Sequence, residues 1–195
     1  MLGIYMNIAL YGGTFDPVHN GHIHVACEVS RLLAVERIVF IPSFLPPHKE
    51  PAGISAAHDR YEMLKQALVN LPFCTISTIE ADSECICYTI DTVRKLKQNH
   101  LEWEQVYFII GSDSIPDIYT WKEVDSLCRE VTIAVAKRTE RVQETGDSRF
   151  IYLDNTVCEI ASRDIRAHIQ TNKPFEHLVP SVVATYIRTH GLYYE

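Results

Sequence analysis

NIALYGGTFDPVHNGH, residues 7–22, is the stretch on which the fold turns. A short apolar run, Asn7 to Tyr11, enters two glycines and a polar turn before helical periodicity begins at His22. An apolar strand that passes through glycines into a helix is the opening of a βαβ unit. Gly12 and Gly13 remove side chains where a sharp backbone turn is expected, so peptide N–H groups there can come close to a phosphate. The helix that follows should aim the positive end of its dipole at the same place. His19 and His22 are three residues apart and would share one face of that helix start, where both imidazoles can aim at a single phosphoryl group. Gly21 between them leaves room for a nucleotide. A plainer reading is that the two histidines cap the helix or bind a metal. Neither a Walker A loop nor GxGxxG is present.

Working outward, short β-branched runs alternate with segments of helical period. Asn7 to Tyr11, Arg37 to Ile41, Phe73 to Ser77, Val106 to Ile110, Val131 to Ala136 and Phe150 to Leu153 read as strands. His22 to Leu33, His58 to Val69, Thr89 to Lys97, Ser162 to Gln170 and Ser181 to Thr189 read as helices, the last opened by Pro180. Right-handed crossovers then give an α/β, doubly wound, mostly parallel sheet, whose ligands belong beyond the carboxyl ends of the strands. Arg138 to Arg149 has no periodicity and reads as a mobile surface loop.

The chain of 195 residues shows no composition break, and one domain spanning residues 1–195 is expected. A net charge of -7 argues against nonspecific binding to nucleic acid or to an anionic membrane, so an anionic substrate must meet local positive charge. No apolar run is long enough to span a membrane and no signal peptide opens the chain, which points to the cytoplasm. The six cysteines form no CxxC pair and read as buried, reduced thiols, with redox or metal chemistry left open for Cys85 and Cys87.

Candidate site residues follow the strands. After the second strand, Pro46 and Pro47 stiffen a loop that presents His48 and Lys49; Lys49 can supply charge to a polyphosphate or be an ordinary solvated lysine. After the Val106 to Ile110 strand, Gly111 admits a nucleotide and Asp113 can accept hydrogen bonds from it, or can cap a helix. Trp121 offers a π face for ring stacking, and a core tryptophan is an equal reading. Ser162 and Arg166, four apart at a helix start, suit phosphates, or a cap and a surface charge.

The first turn is similar to the signature of the nucleotidylyltransferase superfamily, whose HxGH element also occurs in class I aminoacyl-tRNA synthetases. Together with PPHK at 46–49, Asp59-Arg60 and Met63, Tyr88-Thr89 followed by Asp91-Thr92, Gly111 with Asp113, Ile160 to Arg166, and Tyr186-Ile187 and His190 to Tyr193 in the closing segment, it resembles bacterial nicotinate mononucleotide adenylyltransferases over nearly the whole chain. The resemblance implies a Rossmann-like fold with helices on both faces of the sheet. It implies an enzyme of NAD biosynthesis that transfers AMP from ATP to nicotinate mononucleotide, giving deamido-NAD and pyrophosphate. His19 and His22 would be catalytic, stabilising the charge that builds on the attacked phosphate and the departing pyrophosphate. ATP would be held by Gly12, Gly13, Thr14, Phe15, His19, His22, Lys49, Gly111, Asp113, Ser162 and Arg166. Nicotinate mononucleotide would meet His48, Lys49, Tyr88, Thr89 and Trp121, with backbone N–H groups at Tyr88 and Thr89 on the pyridine carboxylate. Mg²⁺ would come with ATP, without a protein metal site. A homo-oligomer is left open.

The match departs at Ala161 and Arg163, which replace hydroxylic residues, at Cys87, which stands for a serine, and at Lys137-Arg138-Thr139, which stands for an Arg-Pro-Gly turn. Lys137 and Arg138 are still basic near the expected phosphate path. Met1 to Tyr5 precede the position where family members commonly begin. Competing readings are phosphopantetheine adenylyltransferase, a cytidylyltransferase, a nicotinamide-preferring or dual-specific enzyme, a tRNA-binding synthetase fragment and a nonenzymatic nucleotide sensor.

Overall fold

The computed structural model describes residues 6–44, 53–81, 87–139 and 144–194. Six strands, β1 (Met6–Gly13), β2 (Arg37–Pro42), β3 (Cys74–Ile76), β4 (Trp103–Gly111), β5 (Thr132–Ala136) and β6 (Phe150–Tyr152), form one sheet in the order β3-β2-β1-β4-β5-β6. Every neighbouring pair is parallel. The direction of winding therefore reverses between β1 and β4, and the strand ends diverge there to leave a crevice.

Alternation along β1 shows how the layers are built. Ala9 faces a core made with Val25, Ala26 and Val29 of α1 (Asn20–Leu33), Met63 and Leu64 of α2 (Ala57–Leu68), Ile165 and Ile169 of a helix at Ser162–Gln170, and Val183 and Ile187 of a helix at Ser181–His190. Ile8 and Leu10 face the opposite core, with Ile90, Val93 and Leu96 of α3 (Thr89–Asn99) and Leu127 of α4 (Val124–Glu130). The helices at Ser162–Gln170 and Ser181–His190 are accordingly α5 and α6. Both faces of the sheet are covered, which is why its central strands carry near-continuous apolar runs.

The expected strands and helices are all present, with ends shifted by up to three residues. β4 is longer than expected at its start, because Trp103 continues the pairing with Met6. Between β4 and β5 lie two elements that the periodicity did not indicate: a 3-10 helix, Ser112–Thr120, with Pro116 inside it, and the seven-residue α4. The 3-10 helix carries Pro116 and has a period of about three residues instead of about 3.6, and α4, at seven residues, is too short to repeat an apolar spacing. Residues 144–149 of the loop expected to be mobile are held down, since Arg149 donates to Asp147 and to Asp125 at 2.7 Å each. Nor are the five described cysteines buried: Cys27 is exposed and Cys74, Cys87, Cys128 and Cys158 are half-buried, all unbridged, while Cys85 lies outside the described residues. Among the described residues no helix is long and apolar enough to cross a membrane.

Candidate active site

A cavity of about 510 Å³ opens at the carboxyl ends of β1, β2, β4 and β5. Its wall contains Gly12, Gly13 and Thr14 from the first turn, His19 and His22 from the start of α1, Gly111 and Asp113 after β4, Arg138 after β5, and Tyr88, Thr89 and Trp121 at the far side. Residues from distant parts of the chain converge because parallel strands all end at this edge.

The histidines both cap the helix and line the cavity. His19 is the N-cap of α1, and the backbone N–H of His22 donates to its Nδ1 at 3.3 Å. In return the backbone N–H of His19 donates to His22 Nδ1 at 3.2 Å, a reciprocal box closed by two imidazoles instead of a hydroxyl and a carboxylate. The rings stack with centroids 3.6 Å apart. A ring nitrogen that accepts a backbone N–H carries no proton, so each neutral imidazole has its proton on Nε2. Burial, and then the charge of Arg138, pushes His19 down to about 3. His22 sits well below the ordinary histidine range through burial, with His19 and Arg138 adding to it. The pair is thus held neutral, with two Nε2–H donors of fixed tautomer.

The sharp turn expected at Gly12 and Gly13 falls instead at Phe15, whose φ is 51°. The two glycines are the last residues of β1, paired with Ile41 and Pro42. Phe15 turns inward, 2% exposed, and a Cβ on Gly13 would meet its ring at 3.0 Å. Phe15 is therefore packed in the core and not among the lining residues. Gly21 serves the histidines, because a Cβ there would come within 3.0 Å of the His19 ring.

Arg60 holds the turn in place from below. It is 1% exposed, and its guanidinium donates to the carbonyls of Thr14, Ser43, Phe44 and Ser55 at 2.6–3.0 Å. Ser43 is also fixed by its own N–H, which donates to the Gly13 carbonyl at 2.9 Å, and its Oγ is buried beside the cavity with no hydrogen-bond partner among the described residues. Ser162 and Arg166 support the same turn: the serine hydroxyl donates to the Pro17 carbonyl at 2.9 Å and the arginine to the Asp16 carbonyl at 2.6 Å. Neither lines the cavity, and Ala161, not Ser162, is the N-cap of α5. Arg163 points to solvent, with its side chain 84% exposed.

Asp113 is not a cap either, since Gly111 holds that position of the 3-10 helix. Its carboxylate faces the Arg138 guanidinium at 3.6 Å, and a Cβ on Gly111 would collide with Asp113 Oδ1 and Arg138 Cδ. Arg138 also donates to the Ile160 carbonyl at 2.8 Å, and its backbone N–H donates to Ser112 Oγ. Sequence reasoning noted this arginine only as a basic neighbour of the phosphate path; the break in the expected turn motif hid its place in the wall. Lys137 turns away to Asp154 at 2.7 Å. Glu80 was missed as well. This carboxylate lines the cavity, accepts the Thr92 hydroxyl at 2.7 Å, and is raised by burial against the opposing effect of that hydrogen bond.

Trp121 is half-buried and meets Phe108 edge-on, with centroids 6.2 Å apart. Tyr88 is the N-cap of α3 and 42% exposed. His48 and Lys49 lie outside the described residues.

A six-stranded doubly wound sheet with a locked histidine pair at its switch point defines a nucleotidylyltransferase. The chain belongs to the cytidylyltransferase-like family, whose model matches residues 10–173, and within it to the nicotinate-nucleotide adenylyltransferases. A relative from Moorella thermoacetica, named a probable nicotinate-nucleotide adenylyltransferase, is 37% identical, with 95% of this chain and 91% of that protein covered. One of the same name from Thermus thermophilus is 34% identical, over 96% of this chain and 100% of its own. Among solved structures, Plasmodium falciparum nicotinic acid mononucleotide adenylyltransferase complexed with NaAD superposes with a TM-score of 0.81 at 23% identity, covering 97% of this chain and 98% of that one. That likeness carries the fold.

Proposed function

We propose that this protein, as one domain in the cytoplasm, transfers the adenylyl group of ATP to the phosphate of nicotinate mononucleotide, forming deamido-NAD and pyrophosphate. A phosphate oxygen of the mononucleotide attacks the α-phosphorus in line, a new P–O bond forms, and the bond to pyrophosphate breaks. No covalent enzyme intermediate is required.

The observation that carries this reading is the reciprocal His19–His22 box at the cavity wall. Two Nε2–H donors of fixed tautomer lie where charge builds on the transferring phosphoryl group, and fixed donors need no reorganisation during the reaction. Arg138 adds the permanent charge that an overall acidic protein must concentrate locally. Asp113, brought close by the missing side chain of Gly111, suits the nucleotide, Lys49 the polyphosphate, and Tyr88, Thr89 and Trp121 the pyridine ring. Ser162 and Arg166 act by holding the first turn. ATP enters as its Mg²⁺ complex, in which the ion neutralises polyphosphate charge and keeps much of its water.

The test is pyrophosphate release by the purified protein with ATP and Mg²⁺, comparing nicotinate mononucleotide, nicotinamide mononucleotide and phosphopantetheine at equal concentration. Preference for the nicotinate compound, with deamido-NAD as product, is expected. Preference for phosphopantetheine, or ATP binding without pyrophosphate release, overturns the reading.

A further inference from the structure

Among the described lining residues, the cavity has two side chains of permanent positive charge, Arg138 and Lys122. They stand on different walls. Arg138 is at the end of β5, against Asp113 and Ile160. Lys122 follows Trp121 and sits at the mouth of α3, its Nζ 4.8 Å from the centre of the Tyr88 ring and 2.8 Å from Asp91 Oδ2. A mononucleotide of a pyridine acid is anionic at both ends, phosphate and carboxylate, whereas the corresponding amide is anionic at one.

We infer that Lys122 is a specificity-determining residue, which uses its ammonium to recognise the pyridine carboxylate and so favours the acid over the amide. This rests on the adenylyltransferase reading above and adds a side chain to the backbone donors at Tyr88 and Thr89. Asp91 takes one of the three N–H donors of the ammonium, and Tyr88 fixes its position over an aromatic face. The remaining donors are available to a ligand beside Trp121. The Asp91 contact raises the lysine above its ordinary value, so the charge is retained throughout the neutral range. An amide in the same place offers its carbonyl oxygen as an acceptor but no charge, and it meets the lysine with a weaker hydrogen bond.

A purely mechanical role competes with this one. The Lys122–Asp91 pair links the start of α3 to the segment before α4, and such a clasp would serve acid and amide alike. Three variants separate the two roles when kcat/KM is measured for both mononucleotides. Lys122→Met should lower kcat/KM for nicotinate mononucleotide by about tenfold, the effect of a charge-assisted hydrogen bond in a half-open site, and leave the nicotinamide value within about twofold. Lys122→Arg should restore most of the preference. Asp91→Asn weakens the clasp from an ion pair to a neutral hydrogen bond but leaves the cation, and should keep the preference for the acid. Equal losses on both substrates in Lys122→Met, or loss of preference in Asp91→Asn equal to that in Lys122→Met, would overturn the inference. A wild-type protein that adenylates neither mononucleotide would instead refute the adenylyltransferase reading itself.

Discussion

The two imidazoles of the first turn do a job usually left to a hydroxyl and a carboxylate. Closing a capping box with histidines uses Nδ1 of each ring and leaves Nε2–H as the remaining polar group. Structure and chemistry are then inseparable, but their magnitudes differ. His19→Ala or His22→Ala should cost about 1 kcal/mol of stability, the usual effect of a lost N-cap, which denaturant titration will measure. The same variants should lose about 100-fold or more in kcat, the effect of removing a preorganised donor from a transition state. The buried pair also makes stability depend on pH. In the unfolded chain His19 titrates near 6.5, and in the folded protein near 3. Between those values the unfolded state binds more protons, so the contribution of the neutral His19 is complete above 6.5 and is lost as the pH falls toward 3. His19→Asn keeps a capping side chain but cannot titrate. Melting temperatures across that interval should fall less steeply for this variant than for the wild type.

Elements deliver the remaining groups, and each delivers them from its end. β4 and β5 are paired through Gly111 and Ala136, which sets Asp113 and Arg138 side by side two residues later. Arg138 is held by the Ile160 carbonyl and by Asp113, so its charge is aimed before any ligand arrives. Arg138→Ala should reduce kcat/KM by about 10- to 100-fold, the cost of one charged hydrogen-bonding partner, with only a small change in melting temperature. Arg138→Lys should recover little, because a single ammonium cannot reproduce a fork shared between two acceptors. A full recovery by lysine would show that charge alone is needed at this position.

Across the whole molecule, several motifs that looked chemical in the sequence prove to hold the site together. Asp59-Arg60 and the closing HGLY segment meet around the first turn. Tyr193 donates to Asp16 at 2.7 Å, Tyr186 donates to Asp59 at 2.9 Å, and Arg60 gathers the carbonyls of the turn and of the β2 exit. Arg60→Met would remove the guanidinium donor from the part-buried carbonyls of Thr14, Ser43, Phe44 and Ser55. It should destabilise the protein by about 3 kcal/mol or more, seen as a lowered denaturation midpoint.

By itself the sequence determined the layered fold and the location of the site. β-branched runs alternating with apolar stripes of helical period admit few arrangements other than a parallel sheet between helices, and parallel strands bring their carboxyl ends to one edge. The His19–His22 spacing was legible for the same reason, since local geometry fixes what three residues at a helix start can do. Only the tertiary structure decided which residues face the cavity and which brace it. Phe15, Ser162 and Arg166 turned to the first turn and core, while Arg138, Glu80 and Lys122 came to the wall, because those roles depend on contacts between segments far apart in the chain. Hydrophobic period records the face of an element and carries no information about which distant carbonyl an arginine will find.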